Sequence, residues 1–351
     1  MDLDSRKNAF VKLGLGLELG LQKLKGSSAN SADSELNEFA QLLKEVIEKV
    51  HHHNSWFTAN SVTEAVKAWS EALSLEKLNN WLEGKTFSDS MHKIGVIMAG
   101  NIPLVGLHDS LCTLISGKVL YAKLSSKDNL LMKVVLDFLA NQSVFKDHIK
   151  LVERLNEIDA LIATGSDNSS RYFDYYFRDK KKIIRKNRTS VSIIDGTESP
   201  SELKKLALDV FRYFGLGCRN VTKVYLPVDY DLDLLFNAFY DHKSIIDHHQ
   251  YANNYDYNKA VYLLNKIELR ENGFLLMKED EGIHSPIGVL FYEHYNNDSE
   301  LNGMISFHQE NLQCIVGNHK LCNVSFGRTQ NPELWDYADG INTLDFINSI
   351  N

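Results

Sequence analysis

Two α/β domains with mainly parallel sheets, preceded by a helical segment, are what this 351-residue sequence predicts. Three observations predict it. The length suits two domains of ordinary size. From Lys93 onward, short apolar runs alternate with amphipathic helical runs at the spacing of βαβ units. Before about residue 88 the periodicity is helical throughout.

The helical segment contains "SELNEFAQLLKEVIEKV", which puts Leu36, Phe39, Leu42, Leu43 and Val46 on one face. "SVTEAVKAWSEALSLEKLNNWLEG" does the same with Val62, Ala65, Trp69 and Leu73. Ser61 is expected to cap that helix, with Glu64 three residues on completing a capping box. His51 to His53 fall between these helices, and consecutive loop histidines point in different directions, so no metal site is expected there.

After Lys93, "IGVIMAG" reads as a buried strand and "LHDSLCTLISG" as a helix closed by Gly117. "KVLYAKL" is the next strand, "NLLMKVVLDFLANQ" a helix and "IDALIATG" a strand. "SSRYFDYYF" follows as a helix and "KKIIRKN" as a short strand. A second α/β segment opens after Ser190 with strand "SVSII", helix "SELKKLALDVFRYFG" and strand "VTKVYLP". The expected division is therefore 1–189 for the helical segment and a Rossmann-like domain, and 190–351 for a second α/β domain. Ligands of parallel sheets collect at the carboxyl ends of the strands. In the first domain those ends are Gly100-Asn101, Lys123 to Ser126 and Gly165-Ser166.

The composition is that of a globular protein, with 44% hydrophobic and 24% charged residues. A net charge of −8 offers nucleic acid or an anionic membrane no general attraction. No run approaches the roughly 20 apolar residues of a membrane span, and the polar N-terminus has no signal-peptide core, so a cytoplasmic enzyme is expected. Four scattered cysteines, none in a C-x-x-C pair, predict neither a disulfide scaffold nor a structural zinc site. "RDKKKIIRKNR" carries seven basic residues among eleven, from Arg178 to Arg188. It reads as a solvated rim, or as a landing site for coenzyme A phosphates or an acidic carrier protein. "DHHQ", from Asp247 to Gln250, reads as surface structure rather than a metal site.

One stretch, "FGLGCRNVTKVYLP", sets a single cysteine behind two glycines and just before a strand. Glycine permits tight turns and close approach. Cys218 is thus either an inert core residue or a nucleophile presented to a cleft, and position alone favours the inert reading, since free cysteine is usually buried. "AGNIP" offers the Asn101 amide at one strand tip, "AKLSS" offers Lys123 at the next, and "ATGS" opens a helix whose N–H groups suit phosphate.

In this order the motifs resemble the aldehyde dehydrogenase superfamily, over residues 93 to 227. Together with the tail "FGRTQNPELWDYADGINTLDFI", they resemble its LuxC-type acyl-CoA reductases along nearly the whole chain. The resemblance implies reduction of a fatty acyl thioester to the aldehyde with NADPH. It implies Cys218 as nucleophile, with the Asn101 side chain and the Cys218 N–H as oxyanion donors. It implies Lys123 and Ser126 at the cofactor ribose, and Gly165 and Ser166 beside the pyrophosphate. NAD-preferring relatives carry a Glu where this chain has Ser126; without it, and with Lys123 and Lys127 nearby, a 2′-phosphate is accommodated. The tail residues Arg328, Asp339 and Gly340 are expected to close the fold, and Cys112, Cys314 and Cys322 to lie in the core.

The chain departs from the hydrolytic members of that superfamily, whose cofactor domain closes on a water-activating Glu. Ile184 falls near that position, and no Glu occurs between Glu157 and Glu198. An acyl-enzyme without such a base yields to a thiolate or a hydride rather than to water. The rival readings are an acyltransferase or thioesterase that uses the same cysteine without hydride transfer, and a non-catalytic acyl-binding subunit. The acyl carrier is left open between coenzyme A, a carrier protein and an acyl-protein synthetase partner. Acyl chain length and any homo-oligomer are open as well.

Overall fold

The computed structural model describes residues 2–88, 90–165 and 167–350, and for Asp167 and Asn168 the backbone only. The chain forms two compact units. One comprises residues up to Lys186 together with the segment from Glu333; the other is Asn187–Pro332.

The first unit begins with helices α1 (Leu3–Leu24), α2 (Ser34–Lys49), α3 (Ala59–Ala72) and α4 (Leu75–Leu82). Each starts where a side chain accepts one of the orphan N–H groups of the first turn: Asp2, Asp33, Thr58 and Ser74 respectively. The expected cap at Ser61 is therefore displaced. Thr58 Oγ1 takes the Ser61 N–H at 3.2 Å, so Ser61 lies inside the first turn and Glu64 falls beyond the third helical position that a capping box uses. The long helix expected from Ser61 to Gly84 divides at Ser74, whose extended backbone caps a new helix. On α2 the buried stripe is Leu36, Phe39, Leu43 and Ile47; Leu42 is turned out to solvent.

A five-stranded sheet follows: β1 (Lys93–Ile97), helix α5 (Leu107–Ile115), β2 (Val119–Lys123), helix α6 (Asn129–Asn141), β3 (Ile149–Leu151), β4 (Ala160–Thr164), helix α7 (Asp167–Tyr176) and β5 (Lys181–Arg185). All pairings are parallel, in the order β3-β2-β1-β4-β5. Strands buried on both faces need continuous apolar sequence, which Ala160 to Ala163 supply at zero exposure. The chain runs outward from β1 through β2 to β3, then crosses to the other side for β4 and β5. The strand order thus reverses between β1 and β4, the position where parallel sheets open a ligand crevice.

The second unit holds β6 (Thr189–Ile193), α8 (Pro200–Phe211), β7 (Val221–Pro227), α9 (Leu232–Phe239), α10 (His249–Leu264), β8 (Arg270–Glu271), β9 (Leu276–Glu279), β10 (Val289–Tyr295), α11 (Asp298–His308) and β11 (Leu312–Val316). Its sheet order is β11-β6-β7-β10-β9-β8, parallel except for the β8–β9 pair. A full capping box between Ser199 and Glu202 starts α8.

The C-terminal segment, ending in α12 (Thr343–Asn348), packs with the first unit, whereas the sequence division ran 190–351 as one domain. Arg185 at the end of β5 holds it there. Its guanidinium pairs with buried Asp109 at 2.5 Å and donates to the Ala338 carbonyl at 2.7 Å and to Thr343 Oγ1 at 2.9 Å. Lys77 pairs with Glu333, and Trp81 Nε1–H donates to Tyr337 Oη.

Candidate active site

In the first unit the tips of β2, β1 and β4 stand side by side, because these strands are neighbours in the sheet. They carry Lys123, the loop with Asn101, and Gly165. Lys123, Ser126 and Lys127 are exposed, and Asn101 and Gly165 are half-buried. Ser166 lies outside the described residues. The loop after β1 lies directly on the loop after β2. A side chain at position 100 would collide with Ser125 Oγ at 2.5 Å and Ser125 Cβ at 2.7 Å, so only glycine fits. Asp128 locks the two loops together by accepting the Leu104 N–H at 2.8 Å; Leu104 itself is held at φ 57°. Burial raises the Asp128 carboxyl to about 7, despite the N–H bonds that favour its charged form.

These tips fit a dinucleotide. Two exposed lysines flank Ser126, and the one acid of the β2 loop, Asp128, is turned inward and buried at 1% exposure, so this loop itself sets no exposed carboxylate beside Ser126. Helix α7 begins at Asp167, two residues after Gly165, and helix N-terminal N–H groups favour an anion. Much of the basic run is spent elsewhere. Arg185 is buried on Asp109, Lys182 pairs with Asp174, Lys181 Nζ donates to the Ser349 carbonyl, and Arg188 donates to the Leu312 carbonyl.

Cys218 is in the second unit, at the second position of a β-turn whose Asn220 N–H donates to the Gly217 carbonyl at 3.0 Å. The turn follows three successive left-handed residues, Tyr213 (φ 53°), Phe214 (φ 58°) and Gly215 (φ 79°). Of the two glycines in the motif, Gly215 is the one in the left-handed region. Two side chains that sequence reading passed over organise the turn. Asn220, with zero exposure, accepts the Gly217 N–H on Oδ1 at 2.9 Å. Its Nδ2 donates to the carbonyls of Asp209, Val210 and Arg212 at 3.0, 3.3 and 2.8 Å. Ser190, at the start of β6, donates to the Cys218 carbonyl and accepts the Cys314 N–H, both at 3.1 Å. Arg219 turns one guanidinium nitrogen to within 3.4 Å of Cys314 Sγ.

The cysteines differ sharply in environment. Burial pushes the Cys112 thiol far up, raises that of Cys314, and pushes that of half-buried Cys322 to about 12. Such thiols stay protonated and inert at neutral pH. Cys218 is half-buried on its turn.

Glu198 and Asp209, two carboxylates of this unit, are occupied by hydrogen-bond donors. Glu198 accepts the N–H groups of Asp195 and Gly196 beyond the carboxyl end of β6. Cys218 is bonded to the amino end of that strand, roughly 13 Å off at the usual rise per residue. Asp209 is buried, and its carboxylate accepts the Gly327 N–H, the Thr329 N–H and Thr329 Oγ1. His248 caps α10 rather than meeting a metal, and among the described residues no cluster of three or more His, Cys, Asp or Glu side chains is arranged to hold one. No helix among the described residues is long and apolar enough to cross a membrane.

No protein-family model matches the chain, and no curated protein matches it by sequence. Solved structures do share its fold. An NAD+ complex of an aldehyde dehydrogenase from Bacillus cereus aligns over 90% of this chain and 72% of its own, with TM-score 0.63 and 10% identity. Aldehyde dehydrogenase 21 from Physcomitrella patens, in complex with succinate, aligns over 98% and 86%, with TM-score 0.62 and 11% identity. An indole-3-acetaldehyde dehydrogenase in complex with NAD+ aligns over 90% and 75%, with TM-score 0.59 and 13% identity. The chain therefore has an aldehyde-dehydrogenase-like fold.

Proposed function

We propose that this chain, on its aldehyde-dehydrogenase-like fold, is an oxidoreductase that reduces a fatty acyl thioester to the aldehyde through a Cys218 acyl-enzyme. The observation that carries the reading is the placement of Cys218. It is a half-buried thiol on a turn held by hydrogen bonds on both sides, in a chain whose three other thiols are raised by burial. The NAD+ complexes of solved structures with this fold support a nicotinamide cofactor. The exposed Lys123, Ser126 and Lys127, in a loop whose one acid, Asp128, is buried, support NADPH.

The Cys218 thiolate attacks the thioester carbon and the carbonyl electron pair moves to oxygen. The Cys218 N–H stabilises that oxyanion as a preorganised donor, and the resemblance to acyl-CoA reductases assigns the Asn101 amide as a second donor. Collapse of the adduct expels the donor thiolate and leaves the acyl group on sulfur. A bound nicotinamide supplies hydride. Hydride delivered to the acyl carbon would let Cys218 leave as the thiolate and release the aldehyde. Neither Glu198 nor Asp209 is placed to deprotonate water at Cys218, which favours hydride or thiol over water as the acyl acceptor.

The test is an intact mass after incubation with a long-chain acyl-CoA in the absence of NADPH. One acyl adduct is expected, absent from Cys218→Ser and slowed roughly a hundredfold in Asn101→Ala, the scale of one lost oxyanion donor. An adduct that survives in Cys218→Ser contradicts the assignment.

A further inference from the structure

We infer that Asn220 is the positioning residue that aims the backbone N–H of Cys218 at the reacting carbonyl, with Ser190 fixing the far side of the turn. The inference rests on the reading of Cys218 as the acyl-accepting nucleophile. Three consecutive peptide groups surround Cys218, and each is held by at least one bond. The N–H of the first, from Gly217, is taken by Asn220 Oδ1. The carbonyl of the second, from Gly217, is taken by the Asn220 N–H. The carbonyl of the third, from Cys218 itself, is taken by Ser190 Oγ.

The second of these peptides carries the Cys218 N–H. A trans peptide points its carbonyl and its N–H in opposite directions. Fixing the Gly217 carbonyl on Asn220 therefore fixes the direction of the Cys218 N–H on the other side. Oxyanion donors act because they are oriented before charge develops, so their aim is what a supporting residue must supply.

Asn220 is suited to this in a way that other side chains are not. One end of its amide meets an N–H and the other meets three carbonyls, so the group sits one way round only. Those carbonyls belong to the last turn of α8 and the residue beyond it, where helix carbonyls lack internal partners. The amide thus ties the turn to the end of α8. It does so across the left-handed run Tyr213 to Gly215, a conformation that persists only when its surroundings over-determine it. Phe214 supports the same run by packing its ring 4.4 Å from that of His248. Asp in place of Asn would keep the acceptor for Gly217 but turn a second acceptor toward three carbonyls.

The experiment compares two reactions of the same thiol in Asn220→Ala. Alkylation by iodoacetamide needs the thiolate but develops no oxyanion. Acylation by a long-chain acyl-CoA needs both. Acyl-enzyme formation is expected to slow by roughly thirtyfold or more, toward the hundredfold of a lost donor. Alkylation should stay within about threefold of the parent rate, with its pH profile unmoved, because thiolate supply governs it. Equal losses in both reactions, or no loss in acylation by folded protein, overturn the inference. If Asn220→Ala does not fold, Ser190→Ala releases the Cys218 carbonyl, together with the Cys314 N–H, and should show the same selective loss at about tenfold, while an unselective loss counts against the inference. A parent chain that forms no adduct at Cys218 would instead overturn the nucleophile reading itself.

Discussion

Ser126 stands exposed beyond the tip of β2, with exposed lysines at 123 and 127 and no outward carboxylate between them. If the cofactor ribose lies there, Ser126→Glu sets a negative charge against a 2′-phosphate and leaves a 2′-hydroxyl a partner. Binding followed by nicotinamide fluorescence should then weaken for NADPH at least tenfold more than for NADH. Equal weakening would place Ser126 away from the ribose. At this scale the sequence was uneven. The cysteine behind glycines stood out because few residue types do what it does. Asn220 did not, because an Asn after a glycine turn is ordinary and its partners are brought to it only by the end of α8. Ser190 was hidden for a similar reason: a serine opening a strand gives no sign that it spans two cysteines.

The strand-and-helix alternation was legible because apolar periodicity reports burial directly, and the expected strands from Lys93 to Pro227 all formed. The three-residue β3 was missed, since Ile149–Leu151 is too short and too exposed to show a pattern. The caps were misjudged where several hydroxyl residues compete. Thr58, Ser61 and Ser74 all suit an N-terminus, and backbone geometry chooses among them. The loops at the β1 and β2 tips carry a pH-dependent element. Buried Asp128 keeps its proton to about 7, whereas an exposed Asp releases it at about 3.9. Between those values unfolding releases a proton, so this group's contribution to stability falls as pH rises through the window. Asp128→Asn keeps an acceptor for the Leu104 N–H but cannot ionise. The difference in Tm, variant minus parent, should therefore climb from about pH 4 to about pH 7 and level off above. A difference that is flat or falling across that range would contradict the burial argument.

For the molecule as a whole, the division into two α/β units near residue 187 lies close to the change of pattern in the sequence. The return of residues 333–351 to the first unit was not legible, because nothing along the chain tells which core a late segment will join. Arg185 decides it locally, by holding Asp109, Ala338 and Thr343 at once. Arg185→Met leaves the Asp109 carboxylate buried and uncompensated, a loss of about 3–5 kcal/mol. Urea unfolding should show that loss, and Asp109→Leu combined with Arg185→Met should recover most of it, since the pair is then replaced by apolar volume. A double variant no more stable than the single one would mean that the bonds to the tail, rather than the ion pair, dominate.

The fate of the acyl-enzyme tests the central claim most directly. Labelled acyl-enzyme is formed on Cys218 without cofactor, and its decay is followed in buffer, with coenzyme A, and with NADPH. With Glu198 and Asp209 held by other donors, coenzyme A should return acyl-CoA and NADPH should give aldehyde, each much faster than free acid forms. Free acid as the main product in all three would contradict the account and make the protein a hydrolase or an aldehyde-oxidising enzyme.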